Sequence, residues 1–326
     1  MSISRRQFGA GLGAGALILA TAPGLRAQGS GKILKVLVGY APGGAADVVA
    51  RAVGEGLRAS GYQVIVDNKP GAAGRLATEA LLTLPADGTT LLFAPSGNLT
   101  IYPHIYKSIK YDPLKDLVPV ASATGMSFGI AVGATSPAKT LQEYLALAKA
   151  DPAKAAYGTP GAGTAMHFLG VMLARQAKVP LTHVPYKGGS AALTDAIGGN
   201  LPAVITTLPN LLPMHKAGKL RLLAISNPEP LASLPNVPTF GTAGFPELNV
   251  AELFGFFARG GTPAATVAQL NAAISAAIKT PAVVAALEKL EFEPRAMAPD
   301  ELAKFIRTEH ARWGEIVKAT GYTPEE

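Results

Sequence analysis

The stretch Ile33-Leu34-Lys35-Val36-Leu37-Val38-Gly39-Tyr40-Ala41-Pro42-Gly43-Gly44-Ala45-Ala46-Asp47-Val48-Val49-Ala50-Arg51 decides the fold. Ile33–Gly39 is a compact apolar strand, and Gly44–Ser60 reads as a helix with Val48, Val49, Ala52, Val53 and Leu57 at helical spacing. A short glycine turn joins them. A strand running through such a turn into a helix is the opening of a βαβ unit, which calls for a parallel sheet covered by helices on both faces.

The same grammar continues outward. Tyr62–Val66 is a second strand, Ala73–Leu84 a helix ended by Pro85 and Asp87-Gly88, and Thr89–Ala94 a third strand. Two apolar runs, Val118–Ala123 and Phe128–Val132, then follow back to back with no helix between them, as expected where the chain passes from one lobe to another. A second series follows: helix Thr140–Ala150, strand Ala155–Tyr157, helix Thr164–Gln176, strand Leu181–Val184, helix Ser190–Gly198, and strands Ala203–Thr206 and Leu220–Ser226. The Pro-rich Asn227–Pro246 reads as the return crossing, and the chain ends in helices with apolar stripes at Val267, Leu270, Ile274 and Ile278, and at Leu302, Phe305, Ile306, Trp313, Ile316 and Val317. The predicted class is α/β with two lobes and two crossings. Residues 28–124 and 228–326 form lobe 1, residues 125–227 form lobe 2, and hinge closure is expected near Ala121–Ser127 and Ser226–Pro230. Open α/β sheets bind ligands at the carboxyl ends of their strands.

Composition narrows the function. Of 326 residues 48% are hydrophobic and only 16% charged, enough apolar surface for a folded core. The formal charge of +7 includes Arg5, Arg6 and Arg26, which lie in an acid-free leader; without them 26 basic face 22 acidic residues. The basic residues form no run, which argues against nucleic acid as a partner. The absence of cysteine excludes disulfides and thiolate chemistry. Residues 1–27 read as a cleaved secretory signal: a charged start, a short apolar run to Ala22, and a cut after Ala27. Ser4-Arg5-Arg6-Gln7-Phe8 resembles a twin-arginine export signal, and the apolar run is too short for a permanent membrane anchor. Gly11-Leu12-Gly13-Ala14-Gly15-Ala16 matches a dinucleotide fingerprint but follows no strand, so it is rejected.

The candidate ligand-binding residues lie at successive strand–helix junctions. Tyr40, Ala41, Pro42, Gly43, Gly44 and Ala45 open the first helix, whose free N–H groups suit an anion; Asp47 either stabilises that helix or meets the ligand. Gly71 and Ala72 follow Lys69 in the second loop, where the lysine reads as solvated. Ser96 and Asn98 bond a ligand or cap a helix. Thr159, Gly161, Ala162, Gly163 and Thr164 form the fourth loop, with His167 one turn into the helix, facing pocket or core. Tyr186 could wall a pocket in the fifth. Together these loops describe a cradle of amides and hydroxyls suited to a carboxylate. No G-x-S-x-G elbow, P-loop or H-E-x-x-H motif is present, and the histidines are scattered without metal-ligand spacing. The reading is therefore a binding protein, not an enzyme, with no cofactor and no metal.

Pro42-Gly43-Gly44-Ala45-Ala46-Asp47-Val48-Val49-Ala50-Arg51, Asp67-Asn68-Lys69-Pro70-Gly71-Ala72-Ala73-Gly74, Pro85-Ala86-Asp87-Gly88-Thr89-Thr90-Leu91-Leu92, Val184-Pro185-Tyr186-Lys187-Gly188 and Lys216-Ala217-Gly218-Lys219-Leu220-Arg221 together resemble the tripartite tricarboxylate transporter solute receptors, the Bug (TctC-like) family. The resemblance runs from about Lys32 to the C-terminus. It implies a flytrap-like periplasmic-binding-protein fold. It implies a monomer that holds a ligand carboxylate (dicarboxylate, amino acid or aromatic acid) through the Pro-Gly-Gly and Gly/Thr loops, and delivers it to membrane transporter subunits. By motif it nominates Ala41–Ala45, Thr159–Thr164 and His167, with Ser96 and Tyr186. Where the family often shows Phe-Asp, this chain reads Ile205-Thr206, which makes Thr206 the residue at that place and removes an acid. Some members act instead as sensory accessory proteins for two-component systems.

Overall fold

Two mixed sheets, tied at a neck one residue long, organise the chain. The computed structural model describes residues 31–323 apart from Lys187, Ala251, Leu290 and Glu291; the leader expected at 1–27 lies outside the described residues. The strands, in chain order, are β1 (Lys32–Val38), β2 (Tyr62–Asn68), β3 (Thr90–Pro95), β4 (Leu117–Met126), β5 (Phe128–Gly133), β6 (Ala156–Thr159), β7 (Thr182–Pro185), β8 (Ala203–Thr207), β9 (Leu220–Ile225), β10 (Glu252–Arg259) and β11 (Glu293–Pro294). One sheet runs β11-β4-β10-β3-β1-β2, the other β7-β6-β8-β5-β9.

Alternation along the strands explains why the first sheet is buried on both faces. Leu34, Val36 and Val38 of β1, Leu91 and Phe93 of β3, and Phe254, Phe256 and Ala258 of β10 join one core cluster. Leu37, Leu92, Ala94, Leu253 and Phe257 point the other way into a second cluster. Helices cover both faces: α1 (Ala45–Gly56), α2 (Arg75–Leu82) and the single turns α3 (Gly97–Thr100) and α4 (Tyr102–Ile105) on the first sheet, and α5 (Leu141–Ala150), α6 (Ala165–Ala177), α7 (Gly189–Ile197) and α8 (Leu208–Lys216) on the second. The chain ends in α9 (Ala264–Ile278), α10 (Pro281–Lys289) and α11 (Pro299–Thr320).

The structure departs from the sequence reading in three places. The sheets are not purely parallel: β10 is antiparallel to both β3 and β4, and β5 to both β8 and β9. A chain that leaves a sheet on one strand and returns on a neighbour must run back against it. Second, β10 and α8 were not anticipated, the latter because Pro209 and Pro213 lie within it; Pro209 sits in the first turn, where no N–H is needed. Third, the return path is longer than expected. Thr239 bridges back to Ile225 before the chain reaches β10.

The neck is built from backbone. β4 ends at Met126, paired with Glu252; Ser127 follows, and β5 begins at Phe128. The Phe128 amide donates to Ser226 Oγ (2.9 Å), and the Ser226 amide donates to the Phe128 carbonyl (2.8 Å). The C-terminal helix adds a further tie between the lobes. Leu302 and Ile306 of α11 pack with the first sheet, while Trp313 lies 5.8 Å from Phe168 of α6, ring to ring.

Ser226 is fully buried. Ser226→Ala leaves the Phe128 N–H without an acceptor and is expected to cost ~1–3 kcal/mol. Denaturant unfolding checks this, and an unchanged midpoint would show that the neck does not depend on the hydroxyl.

Candidate functional site

A cleft of about 470 Å³ is lined by residues from both lobes. On one wall stand Tyr40, Gly44, Ala45 and Ala46; on the other stand Gly161, Ala162, Gly163, Thr164, Ala165 and Met166. Each wall is the first turn of a long helix. α1 has Gly44 as its N-cap, with no side chain capping it. No acceptor among the described residues meets the N–H groups of Ala45 or Ala46. At α6, Thr164 Oγ1 accepts from the His167 amide (3.2 Å), and no acceptor among the described residues meets the amides of Ala165 and Met166, which line the cleft. The positive ends of two helices thus face one space.

Asp47 shapes the first loop. It is buried, and its carboxylate accepts from the Gly43 amide (2.9 Å), from Arg51 Nε (3.0 Å) and from Asn68 Nδ2 (2.9 Å). Burial alone would raise its pKa, but the bonds from Arg51, Gly43 and Asn68 hold it below 3.8. The structural reading of Asp47 therefore prevails: its oxygens are spent on the loop. The neighbouring loops close-pack around it. Gly39 lies so near Gly74 that a Cβ there would fall 2.5 Å from the Gly74 Cα. Tyr40 Oη donates to Asn98 Oδ1 (3.1 Å), joining the turns after β1 and β3.

The second loop is held from behind by two histidines. Thr159 is buried; its Oγ1 lies 2.7 Å from His183 Nε2 and donates to the Gly161 carbonyl (3.0 Å). His183 is pushed down to about 4 by burial and by His167, whose ring stacks 3.9 Å away. His167 Nδ1 accepts from the Gly163 amide (3.2 Å), so His167 braces the loop and does not line the cleft.

Of the sequence-predicted residues, Tyr40, Gly44, Ala45, Asn98, Gly161, Ala162, Gly163 and Thr164 line the cleft, and the others do not. Ala41, Pro42 and Gly43 are exposed but do not line the cleft, and the same holds for Gly71 and Ala72. Ser96 is buried and its Oγ accepts from the Leu253 amide (3.2 Å), binding β3 to β10. Thr206 is buried and accepts from Asn210 (3.2 Å). Tyr186 donates to Asp195 of α7 (2.7 Å), away from the cleft. Lys69 pairs with Asp67 (3.5 Å), and Lys187 lies outside the described residues.

Sequence reasoning missed the floor. Tyr102, Tyr106, Met126, Glu252 and Phe254 line it, from α4, its C-terminal flank, β4 and β10. The signal that could have found them is the apolar run Leu253–Ala258 between Asn249 and Gly260-Gly261, which reads as a strand with Glu252 at its head. Glu252 is only 7% exposed, and burial, with Glu309 nearby, pushes its carboxyl up to about 7. No Lys or Arg lines the cleft among the described residues, and no group of three metal-ligating side chains occurs among them. A second cavity of about 400 Å³ lies at the neck, lined by Ser127, Leu208, Asn227, Pro230 and Arg295. The glycine loops do not reach it.

Two lobes of α/β architecture around a cleft walled by opposed helix N-termini define the class of periplasmic binding proteins. The family model for the tripartite tricarboxylate transporter family receptor matches residues 49–322, and the chain belongs to that family. A protein encoded in the tcbD–tcbE intergenic region of Pseudomonas sp. strain P51 is 34% identical over 283 residues, covering 86% of this chain and 84% of that one. BugT of Bordetella pertussis is 32% identical over 290 residues, covering 88% and 89%. Among solved structures, MatC from Rhodopseudomonas palustris with bound malate superposes at a TM-score of 0.75, with 30% identity, covering 87% and 98%; an R. palustris protein with adipate superposes at 0.80, with 27% identity, covering 90% and 98%.

Asp47 stabilises the fold only while ionised. Its contribution is present above 3.8, its ordinary value, and disappears as pH falls through the lowered folded-state value. Asp47→Ala is expected to lower stability by ~1–3 kcal/mol at pH 7, with the gap to the unsubstituted protein closing on strong acidification. Melts across pH test this; a pH-independent gap would contradict it.

Proposed function

We propose that the protein is an exported receptor that captures a small carboxylate-bearing molecule between its lobes and hands it to a tripartite transporter, with no chemical conversion. The observation that carries this reading is the pairing of α1 and α6 across one cleft, their first-turn amides directed inward and no basic side chain beside them among the described residues. A carboxylate there accepts several N–H bonds, each worth ~1.5–3 kcal/mol to a charged group, and gains the field of both helix ends. Micromolar binding needs about 8 kcal/mol after association costs, which a few such bonds supply. The malate and adipate bound by the two R. palustris relatives fit the same class of ligand. The twin-arginine-like leader at 1–27 supports export to the periplasm.

Gly161 offers a direct test. A Cβ there meets nothing nearer than 3.9 Å, and its φ lies outside the range that strains a side chain, so the fold accepts a larger residue. Gly161→Val places two methyl groups in the cradle and is expected to weaken carboxylate binding at least about tenfold with little change in melting temperature. Lys69→Met should leave affinity within about twofold, since an exposed ion pair contributes little. Calorimetric titration with the best carboxylate from a thermal-shift screen reads both. Loss of binding in the lysine variant but not the glycine variant would mean that an ion pair, not an amide cradle, carries the affinity.

Closure should accompany capture. The free protein is expected to be open and the bound protein closed about the neck at Ser127. Small-angle scattering measures this as a fall in radius of gyration on saturation. An unchanged radius with a tightly bound ligand would exclude closure.

A further inference from the structure

Glu252 stands at the head of β10, opposite Met126, where the neck forms the floor of the cleft. Its side chain is more than nine-tenths buried, and its carboxyl makes no hydrogen bond among the described residues. Its position is fixed by Gly97, where a Cβ would overlap Glu252 Oε1. One neighbouring group deepens the negative field. Glu309 of α11 approaches from behind, and Tyr40 and Tyr102 present hydroxyls that feel its charge. Arg312 pairs with Glu309 at 3.5 Å, and Arg75 stacks 3.8 Å from the ring of Tyr106 on the cleft floor without itself lining the cleft. A buried carboxyl without a partner costs several kcal/mol, and a cation or donor brought by a ligand removes that cost.

From this juxtaposition we infer that Glu252 is the specificity-determining residue of the distal subsite, and that the cleft takes a zwitterion: a carboxylate on the α1 and α6 amides, an apolar body, and a protonated amine against Glu252. This rests on the carboxylate-receptor reading above and deepens it. The body is accommodated by Ile101, Met126 and Phe254, and the rings of Tyr40 and Tyr102 favour a cation beside them. Above about pH 7, where Glu252 is ionised, a ligand ending in a second carboxylate would meet it with like charge, and no lysine or arginine lines the cleft among the described residues to offset it. Discrimination would arise from repulsion as much as attraction.

A matched set of three ligands isolates the distal group: ε-aminocaproate, adipate and caproate, titrated calorimetrically into the unsubstituted protein and into Glu252→Gln. The expected order in the unsubstituted protein is ε-aminocaproate, then caproate, then adipate, with at least about a tenfold gap between the first and last. Glu252→Gln should shrink that gap at least about tenfold by weakening the amine and strengthening the diacid. The order within the unsubstituted protein tests the inference even if the variant folds poorly. Adipate binding as well as ε-aminocaproate, or a gap unchanged in the variant, overturns the assignment while leaving the carboxylate receptor standing. Failure of all three to bind, with Gly161→Val also without effect on any carboxylate, overturns the receptor reading and the assignment with it.

Discussion

The arrangement of this protein depends on a one-residue neck. β4 and β5 are consecutive strands separated by Ser127 alone, yet they belong to different sheets. With so short a link, the last pair of one sheet, Met126 with Glu252, must abut the first contacts of the other, Phe128 with Ser226. Backbone hydrogen bonds there are fully buried, so the neck resists fraying. Everything on the strand ends nearest the neck is thereby brought to one place: the turn after β1, the turn after β3, the loop after β6 and the head of β10.

Within that frame the two lobes solve the same problem by different means. In the first, a carboxylate builds the loop: Asp47 gathers Gly43, Arg51 and Asn68, so its charge is consumed internally and the helix amides stay free. In the second, neutral groups do so. Thr159 with His183, and His167 with Gly163, hold the loop without adding charge near the cleft. The result is a cleft whose walls carry no lysine or arginine among the described residues and whose floor carries an acid. A ligand would be read end from end by that polarity.

α11 spans both lobes. It packs on the first sheet through Leu302 and Ile306 and reaches α6 through Trp313, and Tyr322 beyond it lies edge-on to Phe168 at 5.4 Å. Closure about the neck would involve sliding at this aromatic contact as well as bending at Ser127, a combination of hinge and shear.

The sequence by itself determined the βαβ rhythm, the passage between lobes at the back-to-back strands, and the two loops that wall the cleft. Each of these is local: glycine turns, helical periodicity and apolar runs leave their mark within a dozen residues. The tertiary structure alone decided which loop residues face inward. Ser96, Thr159 and Thr206 have the chemistry of ligand contacts, but buried hydroxyls must find partners: Ser96 and Thr159 find theirs on distant strands, and Thr206 one turn on at Asn210. Only the tertiary structure, too, placed Glu252 on the floor. Its isolation follows from the pairing of β10 with β4 across more than a hundred residues and from the approach of α11, and no local pattern encodes which carboxyl will be buried without a partner.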